Sequence, residues 1–216
     1  MTLRADLYFS FRSPYSYLAL PRWREIQRDY DLTIDLKPVY PLAIRQPDFF
    51  ERNHPNWLGY TIRDVMRVAQ RAGISFSPPR PDPIVQNVMT RQIGEEQPYI
   101  YRLVRTGQAA ARRGRGFAYA DEVAQLIWGG TAGWNQGDHL ADAATRAGLD
   151  MVELDAEADA DAEALDAEVA ANQAALEAAG HWGVPTLVFN GEPFFGQDRI
   201  GLALWRMEQA GLEKRA

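Results

Sequence analysis

The sequence predicts an α/β fold in which a β-α-β unit at the beginning and a β-β-α unit at the end are separated by a large all-helical insertion. Strand and helix patterns alternate in the first part, strand patterns nearly vanish in the long middle part, and apolar strand-like runs return near the end. We therefore expect residues 1–40 and 181–216 to form one domain around a shared sheet. Residues 41–180 then form an inserted helical domain.

The β-α-β unit is predicted from its periodicity and from a well-marked helix start. Residues 3–11 and 33–39 have strand patterns, and the second alternates polar with apolar side chains, as a strand with one solvated face does. A helix is predicted between them, at about residues 14–30. Ser13 is a good N-cap for this helix, and Pro14 suits its first position, where the missing N–H is not needed.

The middle part is predicted to consist of helices that end at glycines. Gly73 and Gly148 follow helical apolar periods, and Asp82-Pro83 resembles a helix start. Signals of this kind predict helices at about residues 59–72, 82–93, 98–111, 119–129, 137–147 and 154–179.

The β-β-α unit is predicted from a short turn between two apolar runs. Residues 186–189 and 192–195 are strand-like, and Asn190-Gly191 between them is a strong hairpin signal. An amphipathic helix follows, for which Asp198 is the expected N-cap.

Charge is low overall and unevenly placed. The formal net charge is -6, which gives no indication of nucleic acid or an anionic membrane as a partner. Residues 150–168 contain nine Asp or Glu among many Ala, and we expect them to form a solvated helix face. Residues 97–120 contain five Arg and no acid. We expect these arginines at an exposed helix end and loop, with attraction of an anionic small substrate as the alternative.

Several classes of site are excluded by what the sequence lacks. The chain has no cysteine, so it has neither a disulfide nor a thiolate metal site, and its three histidines are too scattered for a metal triad. It has no apolar stretch long enough to span a membrane, and no signal peptide pattern precedes the first strand. We therefore expect a cytoplasmic protein without a metal.

The turn Ser13-Pro14-Tyr15-Ser16 has the layout of a thioredoxin-type redox site, in which a strand leads through a short motif into a helix. Cysteine normally occupies the first and fourth positions of such a motif, and both are serine here. A hydroxyl cannot form a disulfide, although at a helix N-terminus it can still hold an anion. Any sulfur chemistry at this turn must therefore use a thiol from another molecule.

Four stretches together resemble the family of 2-hydroxychromene-2-carboxylate isomerases and kappa-class glutathione transferases, which share the thioredoxin-like fold of DsbA. The stretches follow the order of the family and span nearly the whole chain: residues 9–18, Asn53-His54-Pro55 with the following helix, Gly183-Val184-Pro185-Thr186, and residues 195–199. One feature departs from the family, since the basic residue expected before the helix at Tyr60 has no counterpart in residues 56–59.

The resemblance implies a glutathione site. Ser13 would stabilise the glutathione thiolate, and Val184 with a cis Pro185 would pair with the backbone of its cysteine. Asn53 would contact glutathione or the substrate and would share the catalytic role with Ser13. Taken without the resemblance, Ser13 is a plain N-cap and Asn53 a loop residue bonded to its own backbone.

The resemblance also assigns Gln197 and Asp198 to the γ-glutamyl end of glutathione, with helix capping by Asp198 as the alternative or companion role. His54 and His181 flank the two turns and are the weaker catalytic candidates. The aromatic side chains of Tyr15, Phe49, Trp57 and Trp182 are candidates for walls around a flat substrate, although aromatic residues more often belong to the core.

The implied function is glutathione-dependent isomerisation of an unsaturated aromatic 2-oxo acid by reversible addition of the thiolate. One alternative is a kappa-class-like transferase that conjugates glutathione to small electrophiles. The other is a non-catalytic glutathione-binding or peptide-binding protein of thioredoxin fold. The resemblance also implies a homodimer.

Overall fold

The computed structural model describes residues 2–87 and 89–215, which contain one mixed sheet of four strands in the order β2-β1-β3-β4. β2 runs parallel to β1, whereas β3 is antiparallel to both β1 and β4. The predicted α/β class and the predicted order of elements along the chain are confirmed, with the strands at β1 (Leu3–Phe9), β2 (Leu32–Pro38), β3 (Thr186–Phe189) and β4 (Glu192–Phe195).

The chain between β2 and β3 consists mainly of helices, as predicted. α1 joins β1 to β2, and α10 closes the chain after a short 3₁₀ turn at Gln197–Arg199. The helices are α1 (Pro14–Asp29), α2 (Leu42–Arg45), α3 (Phe49–Arg52), α4 (Asn56–Ala72), α5 (Ile100–Arg112), α6 (Gly116–Trp128), α7 (His139–Arg146), α8 (Met151–Ala160), α9 (Ala162–Ala178) and α10 (Ile200–Gln209). Among the described residues, no helix is both long and apolar enough to cross a bilayer.

The helix predicted at residues 82–93 is wrong, because residues 82–87 and 89–93 form an irregular strap between α4 and α5. The Asp82 carboxylate accepts a hydrogen bond from the Ile84 amide, which is a local turn and not a helix cap followed by a helix. Gln86 and Ile93 pair as an isolated antiparallel bridge, and the Arg80–Pro81 peptide bond is cis. Asp82-Pro83 therefore marks a turn.

The helix predicted at residues 154–179 is two helices, which meet at Asp161. The backbone of Asp161 leaves the helical region, with φ −108° and ψ 23°, and the chain turns there from α8 into α9. The expected solvated acidic face is confirmed only in part, because Glu153, Asp159 and Glu163 are exposed whereas other acidic residues bind arginines. Arg102 pairs with Asp155 and Arg105 with Asp166, so the arginines of α5 bind α8 and α9.

The main hydrophobic core runs without a break from the sheet into the helices. It includes Leu7 and Phe9 of β1, Leu36 of β2 and Tyr119 of α6, each almost fully buried. The side chain of Trp128 also donates a hydrogen bond to the carbonyl of Phe11, 2.9 Å away. The sheet and the helices thus share a core, while their division into two domains stays a prediction.

One edge of the sheet collects the turns that the sequence singled out. β1 and β2 are parallel, so both end at this edge, and β3 begins there because Tyr8 pairs with Thr186. Thr186 in turn pairs with Phe195, which brings the end of β4 to the same place. The turns after β1, β2 and β4 and the turn before β3 therefore meet. The Asn190-Gly191 hairpin lies at the opposite end, with positive φ at both residues, as its sequence predicts.

Candidate active site

Ser13 lies at the N-terminus of α1 and is its N-cap, as predicted. Its hydroxyl oxygen accepts a hydrogen bond from the Ser16 amide at 3.2 Å. The same hydroxyl is 3.5 Å from the carbonyl oxygen of Val184, towards which it can donate. Ser16 is fully buried, and its own hydroxyl has no partner among the described residues. Of the two serines in the motif, Ser13 is the one that faces the opposing turn.

The opposing turn, Gly183-Val184-Pro185, is held by three hydrogen bonds. The Gly183 amide donates to Nδ1 of His181 at 2.9 Å, and the Gly183 carbonyl accepts from the Thr186 hydroxyl at 2.7 Å. The Pro185 carbonyl accepts from the Gly196 amide at 2.8 Å. The Val184–Pro185 peptide bond is cis, which confirms the prediction. His181 therefore has a structural partner in this turn.

Val184 is the residue of this turn whose backbone remains available. Within residues 2–87 and 89–215, its amide donates no hydrogen bond, and its carbonyl has only the long contact with Ser13. Buried or half-buried backbone groups are nearly always paired, so an open amide and carbonyl next to each other suit an extended peptide that binds as an added strand.

The 3₁₀ turn at Gln197–Arg199 packs against α1 beside Ser13. Gln197 is half-buried and Asp198 exposed. The expectation that Asp198 caps the last helix is wrong, since it makes no capping hydrogen bond and its carboxylate instead pairs with Arg199 at 2.7 Å. Gly196 has φ 101°, and an added Cβ there would lie 2.5 Å from the Asp198 carboxylate. The Asp198 side chain could move away, but a φ of 101° strains any residue with a Cβ, so glycine is favoured here.

Tyr15 connects the motif to α4. Its hydroxyl donates a hydrogen bond to the Asp64 carboxylate at 2.7 Å. Burial and this hydrogen bond raise the pKa of Tyr15 above its ordinary value, with a smaller contribution from the negative charge of Asp198. Tyr15 is therefore a hydrogen-bond donor at neutral pH and not a base.

Asn53 lies at the C-terminal end of α3, where its side-chain amide donates to the Phe49 carbonyl at 2.8 Å. This is the local bond that the sequence offered as the alternative to catalysis. No described contact joins Asn53 to Ser13 or Val184, and its catalytic role stays a prediction. Its neighbour His54 is exposed and accepts a hydrogen bond from the Asn56 amide.

An aromatic row borders the cis-proline turn. Its rings follow one another at centroid distances of 5.9, 6.0, 5.7 and 4.0 Å, in the order Trp57, Phe49, Trp182, His181 and Phe195. Trp182 and Phe195 are each 46% exposed, so a flat ligand can reach the row. Of the predicted wall, the structure brings Phe49, Trp57 and Trp182 together, while Tyr15 lies with Asp64.

Arg12 is a residue of the site that the sequence analysis missed. It precedes Ser13, and its guanidinium forms two hydrogen bonds with the Asp82 carboxylate, at 3.1 and 2.9 Å. The guanidinium also lies 5.9 Å from the centroid of the Phe50 ring. Arg12 therefore fastens the strap to the Ser13 turn. A pairing across 70 residues leaves no local pattern that could have revealed it.

The groups at this edge suit the binding of an extended peptide that carries an anionic group. A helix N-terminus and a hydroxyl lie opposite an unpaired backbone amide, and aromatic rings border the turn between them. Among the described residues, no group of three or more His, Asp or Glu side chains is placed to hold a metal ion.

A family model for a DSBA-like thioredoxin domain matches residues 4–204. The chain belongs to the DsbA-like thioredoxin family. The match spans the β-α-β unit, the helices and the β-β-α unit, and it confirms the family resemblance inferred from the motifs. Comparison with curated protein sequences finds no match.

Several solved structures share the DsbA-like fold over nearly the whole chain. A 2-hydroxychromene-2-carboxylate isomerase is 24% identical, with a TM-score of 0.71 and 96% of each chain covered. A probable DsbA oxidoreductase from Streptomyces coelicolor is 18% identical, with a TM-score of 0.66, 96% of this chain and 89% of that chain covered. The cytosolic disulfide reductase DsbM from Pseudomonas aeruginosa is 15% identical, with a TM-score of 0.60 and coverages of 96% and 99%. At these identities the likeness establishes the fold.

Proposed function

We propose that this protein is a glutathione-dependent isomerase of the 2-hydroxychromene-2-carboxylate isomerase type. The observation that carries the proposal is the pairing of the Ser13 hydroxyl with the cis-proline turn, 3.5 Å from the Val184 carbonyl and next to an unpaired Val184 amide. The similar fold of an isomerase with that name adds support.

Each of the proposed contacts has a physical reason. The Val184 amide and carbonyl would pair with the cysteine backbone of glutathione, as a strand pairs with an added strand. The Ser13 hydroxyl and the positive end of α1 favour a thiolate over a thiol. Gln197 and Asp198 lie on the turn beside α1, where the γ-glutamyl amine and carboxylate would bind.

Glutathione would supply the nucleophilic sulfur, which adds to an unsaturated carbon of an aromatic 2-oxo acid and leaves again after bond rotation. The residues of the protein orient the two reactants and exclude water. The aromatic row would hold the flat acceptor against the thiolate, and Asn53 remains the candidate donor towards its developing oxyanion. No proton transfer is assigned to Tyr15, since its hydroxyl stays bonded to Asp64.

Disulfide exchange is the main rival, because two of the similar structures carry oxidoreductase or reductase names. The chain has no cysteine, and serine occupies both positions of the motif. Its own residues therefore cannot form a disulfide. A site that binds the thiol of glutathione agrees better with this sequence than a site for disulfide exchange.

Calorimetric titration with glutathione and with S-methylglutathione tests the proposal. We expect both to bind, and bound glutathione to show thiolate absorbance near neutral pH. Ser13→Ala should remove most of this absorbance, whereas Ser77→Ala, which removes a hydroxyl outside the cleft, should not. Absence of binding at millimolar glutathione would refute the proposal, and an unchanged thiolate signal in Ser13→Ala would remove Ser13 from it.

Turnover assays separate isomerisation from conjugation at the same site. We expect a chromene carboxylate to be converted while the glutathione concentration stays constant. Stoichiometric loss of glutathione with chlorodinitrobenzene, without any isomerisation, would instead indicate a kappa-class-like transferase. Binding of glutathione without either reaction would indicate a non-catalytic protein.

We also propose that the protein acts as a cytoplasmic homodimer. α4 carries an outward apolar stripe at four-residue spacing, formed by Leu58, Ile62 and Met66, which are 41%, 56% and 50% exposed. Sedimentation equilibrium should give twice the mass of the chain, and a monomer at micromolar concentration would contradict this part of the proposal.

A further inference from the structure

Arg45 is held at the same edge of the sheet as Ser13, at the end of α2. Its Nε donates a hydrogen bond to the Tyr40 carbonyl at 2.6 Å, and its Nη2 donates to the Trp182 carbonyl at 3.3 Å. The two carbonyls belong to the turn after β2 and to the residue before Gly183. Arg45 thus bridges two of the turns that form the cleft.

The guanidinium of Arg45 has no carboxylate partner among the described residues, and its Nη1 makes no hydrogen bond there. Other arginines nearby are paired, since Arg12 binds Asp82 and Arg52 binds Asp48. Burial lowers the pKa of Arg45 from its ordinary value, and the more distant charge of Glu177 offsets this only in part. A half-buried cation with free donors is costly unless an anion completes its environment.

The position of Arg45 relative to the cleft is fixed by the chain. Trp182, whose carbonyl it binds, is two residues before Val184, and the Val184 carbonyl faces Ser13 at 3.5 Å. The Trp182 ring belongs to the aromatic row and lies 6.0 Å from Phe49. The guanidinium therefore lies beside the backbone of Trp182, two residues before the Val184 carbonyl that faces Ser13.

We propose that Arg45 binds a carboxylate of the molecule that occupies this cleft. The inference deepens the proposed function and rests on it for the two sources of that carboxylate, which are the glycine end of glutathione and the acid group of the aromatic substrate. A guanidinium with free N–H donors matches a carboxylate in charge and in geometry. It supplies the basic group that the loop at residues 56–59 lacks.

A purely structural role makes a different prediction. If Arg45 only joined the Tyr40 and Trp182 carbonyls, its loss would loosen the turns and weaken every ligand alike. If it binds a carboxylate, its loss weakens only ligands that carry the free acid. Paired probes with and without the negative charge therefore distinguish the two roles.

The experiment uses Arg45→Gln, which keeps hydrogen-bond donors but removes the charge, and Arg52→Gln as the control for net charge. Calorimetry measures the affinities of glutathione and its glycine ethyl ester, and of 2-hydroxycinnamate and its primary amide. We expect Arg45→Gln to weaken one of the two free acids by about 10- to 100-fold, while its neutral partner changes little. Arg52→Gln should leave all four affinities within about twofold. Arg45→Lys, which keeps the charge without the planar fork, should recover part of the loss.

The outcome also assigns the source of the carboxylate. A selective loss for glutathione identifies the glycine carboxylate, and a selective loss for 2-hydroxycinnamate identifies the acid of the substrate. Equal losses for acid and neutral probes, or no loss at all, would overturn the assignment of Arg45. If the wild-type protein does not bind glutathione but binds 2-hydroxycinnamate through Arg45, the proposed function fails and this inference stands. Binding of neither acid by the wild-type protein overturns both.

Discussion

The imidazole of His181 stacks on the ring of Phe195 with centroids 4.0 Å apart, while its Nδ1 accepts a hydrogen bond from the Gly183 amide. One side chain thus makes a polar contact with the cis-proline turn itself and an apolar contact with the end of β4. Gly183 itself is buried, and an added Cβ there would lie 2.7 Å from the Phe195 ring. The turn therefore depends on the imidazole both as an acceptor and as a flat surface.

Two substitutions of His181 separate these contacts. His181→Phe keeps a flat ring but leaves the Gly183 amide without an acceptor, which should cost about 1–3 kcal/mol of unfolding free energy. His181→Asn keeps an acceptor near the same place and should cost less, despite the lost stacking. Urea unfolding measures both. A larger loss in His181→Asn than in His181→Phe would contradict the importance of the hydrogen bond.

Gly107 and Gly59 are both inside helices, yet alanine should have opposite effects at the two positions. A Cβ at Gly107 would lie 2.7 Å from the fully buried ring of Phe11, whereas a Cβ at Gly59 would have no described neighbour within 4 Å. Alanine gains about 1 kcal/mol of helix propensity at either position. At Gly107 this gain is outweighed by about 1–3 kcal/mol of overpacking. We expect Gly107→Ala to lower the melting temperature and Gly59→Ala to raise it. A rise in both would show that α5 can move away from Phe11.

The Arg112 network should make stability depend on pH. Arg112 binds Glu157, Asp161 and Glu168. Hydrogen bonds from Arg112 hold the pKa of Glu168 below its ordinary value. Burial raises the pKa of Glu157, but the hydrogen bonds from Arg112 and Arg113 together outweigh burial, so this pKa is also lowered. Because the folded pKa values lie below the unfolded ones, these carboxylates stabilise the fold above about pH 4–5 and lose that contribution as the pH falls through the folded values.

Arg112→Gln therefore should cost about 1 kcal/mol at pH 7, a modest value because solvent screens these partly exposed pairs. The difference from the wild type should shrink as the pH is lowered to about 3. Urea unfolding across this range measures it, with Arg28→Gln as the control, since this exposed arginine pairs with its neighbour Asp29. A difference that stays constant with pH would mean that packing of the Arg112 stem, and not its charge, is what is lost.

Single cysteines can test the electrostatics of the motif without glutathione. A thiol in Ser13→Cys would lie at the N-terminus of α1 and half-exposed, so we expect its pKa to fall below about 8.5 by one unit or more. Ser16→Cys would be fully buried, so it should react much more slowly with a disulfide reagent. The reaction rate of each variant, measured as a function of pH, gives the pKa of its thiol and its accessibility. An ordinary pKa in Ser13→Cys would argue against thiolate stabilisation at this helix end.

Local signals were sufficient for the sheet and for most of the helices. The Asn190-Gly191 turn needs positive φ at both residues, and the Ser13-Pro14 start satisfies a helix N-terminus by itself. The helix predicted at residues 82–93 was wrong because an Asp-Pro pair can begin either a turn or a helix. Here Asp82-Pro83 begins a turn. What decides between them is the distant bond to Arg12, which the local sequence does not contain.

The site was only partly predictable for a similar reason. Ser13, Val184 and Pro185 belong to motifs, and the structure brings them together as the family resemblance implied. Arg45 has no such motif, since its significance comes from two backbone carbonyls, one of which is 137 residues away. The acidic and basic runs were visible, but their pairing required knowing that α5 packs against α8 and α9.

Ser13 and Val184 are 171 residues apart in the chain, and the cleft between them needs both turns. During synthesis the Ser13 turn is made early, and the cleft can form only after the segment with Val184 has been made. A thiol-peptide ligand would then recognise only finished molecules and shift the equilibrium towards them by mass action. Retention on immobilised glutathione would therefore report whether the two ends of the chain have joined the same sheet.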